Sequence, residues 1–310
     1  MGHPLLRVLA GVLLGSSLPF PTSRSAEGEK SPAGCVAFLR EVDGLNQIFV
    51  MNADGSEVRR LRLTHVLEEE NPSWSPDGKW IAFDSRDNQG WAIYRVTLDG
   101  SGPRRITPSG GGKWQPAWSP DGKRIAFTQA VAGTHADELF VMNSDGSGIS
   151  RLTRHTWFDS SDRDPDWSPD GKSILFCSSR DGKSRWKSDI YTISADGTGL
   201  LRLTHHDAAN EHPAWSPDGR LIAFDSNRTG EKHHAICIMN ADGSGVRTLT
   251  EGDAPCWKPA WSRDGKWIAF STSRYGRREI NVMRLDGSAA HRLTEGSNPA
   301  WGPAATGQSR

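Results

Sequence analysis

In 310 residues, 37 Lys and Arg balance 37 Asp and Glu, so the formal net charge is zero. Binding to a phosphate backbone needs a basic surplus, which argues against nucleic acid as the main partner. Thirteen Trp and 33 Gly, with few long apolar runs, fit a β-rich fold packed through aromatic side chains.

Residues 1–25 read as a secretory signal. Arg7 supplies a positive start, residues 8–14 are apolar but too short to span a membrane, and Ser23 and Ser25 suit a cleavage site. Cys35 lies far from that apolar segment and Pro32 is wrong for a lipoprotein box, so lipidation is not expected. Residues 26–33 read as a polar linker, 34–303 as one folded domain and 304–310 as a disordered tail. Cys35, Cys177, Cys237 and Cys256 show no spacing of a disulfide framework or zinc knuckle and read as small buried hydrophobes.

Within 34–303 one phrase recurs. Trp-Ser-Pro-Asp-Gly begins at Trp74, Trp118, Trp167 and Trp215; Arg263 replaces its proline after Trp261, and a short copy begins at Trp301. The Trp-to-Trp intervals are 44, 49, 48, 46 and 40 residues, the period of a β-propeller blade. Each unit then carries an apolar triplet ending in Phe (Phe83, Phe127, Phe176, Phe224, Phe270), a third apolar run, an Asp-Gly turn and a Leu-Thr or Ile-Thr end. These runs read as strands A, B, C and D. The first unit has strand B (from Val36) but no Trp phrase before it, and Trp301 supplies the missing strand. The expected architecture is therefore all-β: a six-bladed β-propeller of four-stranded antiparallel blades, the first closed by the C-terminal strand. The motif tryptophans are expected between blades.

Measured against this repeat, length variation separates two faces. From motif Trp to triplet Phe is nine residues in every complete copy, whereas Phe to turn Asp runs 16, 16, 18, 20, 18 and 16, and Thr to the next Trp runs 10, 11, 14, 11, 11 and 7. The B–C and D–A loops share one face and take these insertions, so the binding site is expected there. Eight of the ten histidines map to that face, either as a functional cluster or as ordinary loop polarity. Two sets of residues are candidates. The long-loop rim offers Trp157, Phe158, Asp159, Arg185, Trp186 and Lys187 as partner contacts, unless the aromatics pack under their own loops. The channel mouth is drawn from the residues just before each strand A proline or aspartate: Glu70, Asn71, Trp114, Gln115, Arg163, Asp164, Glu211, His212, Trp257, Lys258 and Asn298. Such a ring suits a peptide, a sugar or a hydrated cation, or is simply the lining of a wet pore.

The chain has no nucleophile elbow, phosphate loop, dinucleotide fingerprint or His-Glu-x-x-His. No catalytic residue, metal ligand or cofactor is assigned, although a divalent cation at the mouth is compatible with the residues.

The repeats Pro-x-Trp-Ser-Pro-Asp-Gly-x-x-Ile-Ala-Phe, then Ile-Tyr-x-Met-Asn-x-Asp-Gly-Ser, then Leu-Thr resemble the propeller domain of the TolB family, a periplasmic component of the Tol–Pal envelope system. The resemblance covers 35–303. It implies an exported, non-catalytic, monomeric propeller, periplasmic or secreted and not membrane-inserted after signal removal, that binds a protein or peptide of the cell envelope at the channel mouth. The α/β domain that precedes the propeller in TolB has no counterpart in the few residues between the signal and the first strand. The repeats also resemble propellers of prolyl-oligopeptidase-like peptidases and of oligogalacturonate lyases. The second implies an alternative function, a carbohydrate-active enzyme or sugar binder using the channel mouth.

Overall fold

The computed structural model describes residues 32–63, 68–155, 160–181, 187–205, 208–228, 230, 233–252, 254–273 and 276–303. They form six four-stranded antiparallel sheets arranged as blades around a tunnel, and the first blade has the order Ser297–Gly302, Cys35–Val42, Leu45–Asn52, Arg59–Arg60. Closure by the C-terminal strand is thus as expected from the sequence. No helix among the described residues is long and apolar enough to cross a membrane.

Strand B is the buried centre of each blade. Its triplet Phe residues, Phe38, Phe83, Phe127, Phe176 and Phe224, are fully enclosed. The alternation of these runs sends one set of side chains toward each neighbouring blade, so every inter-blade space is a small hydrophobic core. Motif tryptophans fill those spaces. Trp167 is 4% exposed and its indole N–H donates to Ala117 O in the preceding blade; Trp74 and Trp261 make the same bond to Ala300 and Ala214.

The Ser-Pro-Asp-Gly turn is fixed by its own side chains. Ser168 Oγ donates to Asp170 Oδ1 and accepts the Ser173 N–H, and the turns of the second, third, fifth and sixth blades repeat the pattern. In the short sixth copy the serine is replaced by Gly302, because a Cβ there would lie 2.4 Å from the Trp74 ring.

Strand D is shorter than the sequence pattern suggests. It has two residues in five blades and five in the sixth, His291–Glu295. The strand-end threonine compensates: Thr107, Thr153, Thr204 and Thr250 each accept a strand C backbone N–H through Oγ1, from Ile93, Leu139, Ile190 and Ile236. Glu69 takes this place in the first blade, accepting the Ile48 N–H at 2.6 Å. Thr204 is buried and also donates to Asp189. Thr204→Val leaves the Ile190 N–H unpaired and takes one of the bonds to Asp189, and is expected to lower stability by about 1–3 kcal/mol, read from denaturant midpoints.

Candidate functional site at the tunnel mouth

Each strand A carries a β-bulge where it meets strand B. The extra residue is Asn71, Gln115, Asp164, His212, Lys258 or Asn298, all in left-handed conformation at φ between 45° and 56°. Proline follows in all six, excluding right-handed helical geometry at the bulge residue. A non-glycine left-handed residue costs about 1–3 kcal/mol. Five residue types bear that cost at one equivalent position, so the bulge belongs to the scaffold and its effect is to aim one chosen side chain per blade into the tunnel.

These six side chains line one end of a cavity of about 350 Å³, which runs past the motif tryptophans to Pro217 and Arg263 near the opposite face. The ring is linked from blade to blade. Gln115 Nε2 donates to Asp164 Oδ1 at 2.7 Å, Asp164 Oδ2 lies 3.9 Å from His212 Nε2, and Lys258 Nζ donates to Asn71 Oδ1. At the far end Arg263 Nη2 donates to Pro76 O, reaching over the first blade.

Only the second member of each sequence-predicted pair lines the tunnel. The first pairs with strand B and points elsewhere. Arg163 turns outward to Asp137 of the third blade. Glu70 accepts from Asn46 and Asn298 of the first blade. Glu211 is 39% exposed beside His234, while Trp114 and Trp257 are part-buried outside the tunnel lining. The reason is the bulge itself: one residue out of phase reverses the side on which a side chain emerges. In the long-loop rim, Lys187 is exposed, whereas Trp157, Phe158, Asp159, Arg185 and Trp186 lie outside the described residues.

The sequence reading missed the residues that hold the ring. They follow the triplet Phe: Asp84, Thr128, Cys177, Asp225 and Ser271. Asp84 accepts the Asn71 amide and the Gln115 N–H of the next blade. Asp225 accepts His212 Nδ1 at 2.8 Å, His234 Nδ1 at 2.7 Å and the Lys258 N–H at 3.0 Å. Ser271 accepts the Asn298 N–H. The only signal was an acid at a strand position otherwise held by small or apolar residues.

Electrostatics divides these acids. Burial would raise the Asp225 carboxyl, but the His212 and His234 imidazoles hold it down at about 2. Burial opposes charging of His212, yet Asp164 and Asp225 raise it to about 9; His234 is raised by Asp225 and Glu211 against its own burial. His212 is therefore a cation near neutrality. Asp84 has no such partner, and burial raises it to about 7 against the bonds from Gln115 and Asn71. Glu70 and Glu211 are also raised by burial. Glu211, Asp225 and His234 bring one donor atom each within 4.8 Å of one another. His234 Nδ1 and Asp225 already share a hydrogen bond, so a cation there would displace that proton. Another histidine, His155, is buried against Asp162.

The family model described as the TolB beta propeller domain matches residues 29–136 and 110–304. The chain belongs to the TolB beta propeller family. The structure of TolB from Acinetobacter baumannii superposes with a TM-score of 0.74 at 25% identity, covering 88% of this chain and 68% of that one. A protein of Agrobacterium tumefaciens assigned to TolB gives 0.68 at 26% identity, covering 87% and 92%. An oligogalacturonate lyase from Vibrio parahaemolyticus, at 15% identity and a TM-score of 0.57 over 84% of this chain and 74% of that one, shares the fold alone. Among curated sequences, an uncharacterized protein of Agrobacterium fabrum is 40% identical over 73 residues, 23% of this chain and 24% of that relative.

Proposed function

We propose that this TolB-like propeller is an exported, non-catalytic binding protein that receives a segment of a protein or peptide partner at its variable-face tunnel mouth. The observation that carries this reading is the bulge ring: six polar side chains, pre-positioned by backbone geometry and fixed by inter-blade bonds, facing one open cavity. Preorganised polar groups around a cavity favour recognition without the ordering cost of a mobile site. A periplasmic location and an envelope partner follow the TolB relationship, and binding as proposed needs no cofactor. A glycan role is less well supported. An acidic oligosaccharide at the mouth would meet the carboxylates of Asp164 and Asp225, which already hold the His212 imidazole, and these oppose a polyanion.

The test compares wild type with a Gln115→Ala/Lys258→Ala variant and a fixed-face control, Asp145→Ala, as baits in envelope extracts. The same protein should be recovered by wild type and control and cross-link to the mouth. Its recovery should fall at least tenfold, about 1.4 kcal/mol, with the mouth variant. Equal recovery by all three baits, or none by wild type, overturns the proposal.

A further inference from the structure

Below the bulge ring the tunnel has a second ring, the residue before each motif tryptophan: Ser73, Ala117, Asp166, Ala214, Ala260 and Ala300. Five are small. The sixth is a carboxylate.

The fold does not require that acid, since four blades carry alanine there and one serine. The Asp166 carboxylate accepts the backbone N–H of Trp215 in the next blade at 2.7 Å. No Lys, Arg or His lies within salt-bridge distance of it among the described residues. Burial pushes its carboxyl up to about 7, against the N–H groups of Trp215 and Trp167. A half-enclosed carboxylate without a cation is costly unless something supplies one. It faces the cavity of about 350 Å³, beside the part-exposed Trp118 and Trp215. A carboxylate beside indole rings, at a level of the tunnel where the other five residues are small, is a receptor for an organic cation. A divalent metal ion is a poor occupant, because a ring of alanines offers no further side-chain ligand.

We propose that Asp166 is a binding site for a single ammonium or guanidinium group entering the tunnel from the mouth, and that the group is a lysine or arginine side chain of the bound partner segment. This rests on the reading that the mouth receives a polypeptide, and it names the charge that the segment inserts. The ring holds the backbone, and the side chain reaches past it to the acid.

The test uses ligand-observed NMR titration of the purified protein with n-butylammonium, n-butylguanidinium, butyrate, and the capped pentapeptides Gly-Gly-Lys-Gly-Gly and Gly-Gly-norleucine-Gly-Gly. The butyl cations and the lysine peptide should bind, the peptide more tightly, while butyrate and the norleucine peptide should not. Asp166→Ala should weaken both cations and the lysine peptide at least tenfold. That variant restores the residue of four other blades, and an unchanged near-ultraviolet dichroism spectrum would confirm its fold. Cation binding that ignores Asp166→Ala overturns the site. Binding of the butyl cations without the lysine peptide overturns the polypeptide source and assigns a free amine instead. Should Asp166→Ala leave envelope-protein recovery intact while Gln115→Ala/Lys258→Ala abolishes it, this inference fails and the mouth reading stands.

Discussion

Deleting residues 297–310 should abolish the folded monomer. The strand Ser297–Gly302 is the innermost strand of the first blade and pairs with Cys35–Val42. It also carries bonds to both neighbours: Trp74 Nε1 donates to Ala300 O, and Ser271 Oγ accepts the Asn298 N–H. Trp301 packs with Val36, Phe38 and Met51, and its indole N–H donates to Ala33 O. Without this strand the edge Val36–Leu39, now fully buried, faces water with unpaired backbone groups. The loss should exceed about 5 kcal/mol, more than a typical core truncation. The expected result is aggregation or a non-cooperative melt, with rescue by a synthetic peptide of residues 297–303 added in trans. A monomeric deletion variant that melts like the full chain would disprove closure as the source of stability.

The second large effect is expected at Asp225. Its side chain is fully enclosed and neutralises two imidazoles that are themselves largely covered. Asp225→Ala removes the carboxylate that both His212 and His234 bond and leaves them only the more distant Asp164 and Glu211, at 3.9 and 4.0 Å, which should cost about 3–5 kcal/mol and lower Tm by roughly 10 °C. Asp225→Asn, which keeps the shape and one acceptor, should cost less.

The pH dependence has a defined sign. Asp225 is depressed to about 2, so its contribution is present above the ordinary carboxyl range and lost as pH falls toward 2. His212 is raised to about 9, so its contribution is full below about 6.5 and lost as pH rises through 9. The pair therefore stabilises most between about pH 4 and 6.5. Asp84, Asp166 and Glu69 act oppositely to Asp225: each is raised to about 7, so stability declines between the ordinary carboxyl range and 7 as they ionise. Wild type should melt highest in mildly acidic buffer. Its margin over Asp225→Asn should be widest there and shrink above pH 9. A margin independent of pH from 5 to 10 would show that the imidazoles are not charged in the fold.

The repeat made the blades, their closure and the invariant turns readable, because each depends on residues that recur at fixed spacing: the motif Trp, the triplet Phe and the Asp-Gly pair. It also brought six ring residues, from Asn71 to Asn298, into view as the positions before proline. What it hid was direction. A left-handed bulge cannot be told from an extended residue by composition, so Glu70, Trp114, Arg163, Glu211 and Trp257 read as tunnel lining although the pleat turns them away. Asp225 escaped notice because its partners, His212, His234 and Lys258, lie on two blades and meet only when the ring closes. Asp166 was concealed by the phrase beside it: an acid one residue before Trp167 looks like turn chemistry until the tunnel axis is known.

Strand A runs from the mouth ring to Pro303, which packs against the turn glycine Gly78, and Cys35 pairs directly with Gly302. Residues 32 and 303, at the two ends of the described propeller, therefore lie on the same side, away from the mouth. A tag, fluorophore or surface anchor joined directly to residue 32 or residue 303 would start behind the ring, so the propeller fixed in that way to a sensor chip would present its open end to the flowing solution.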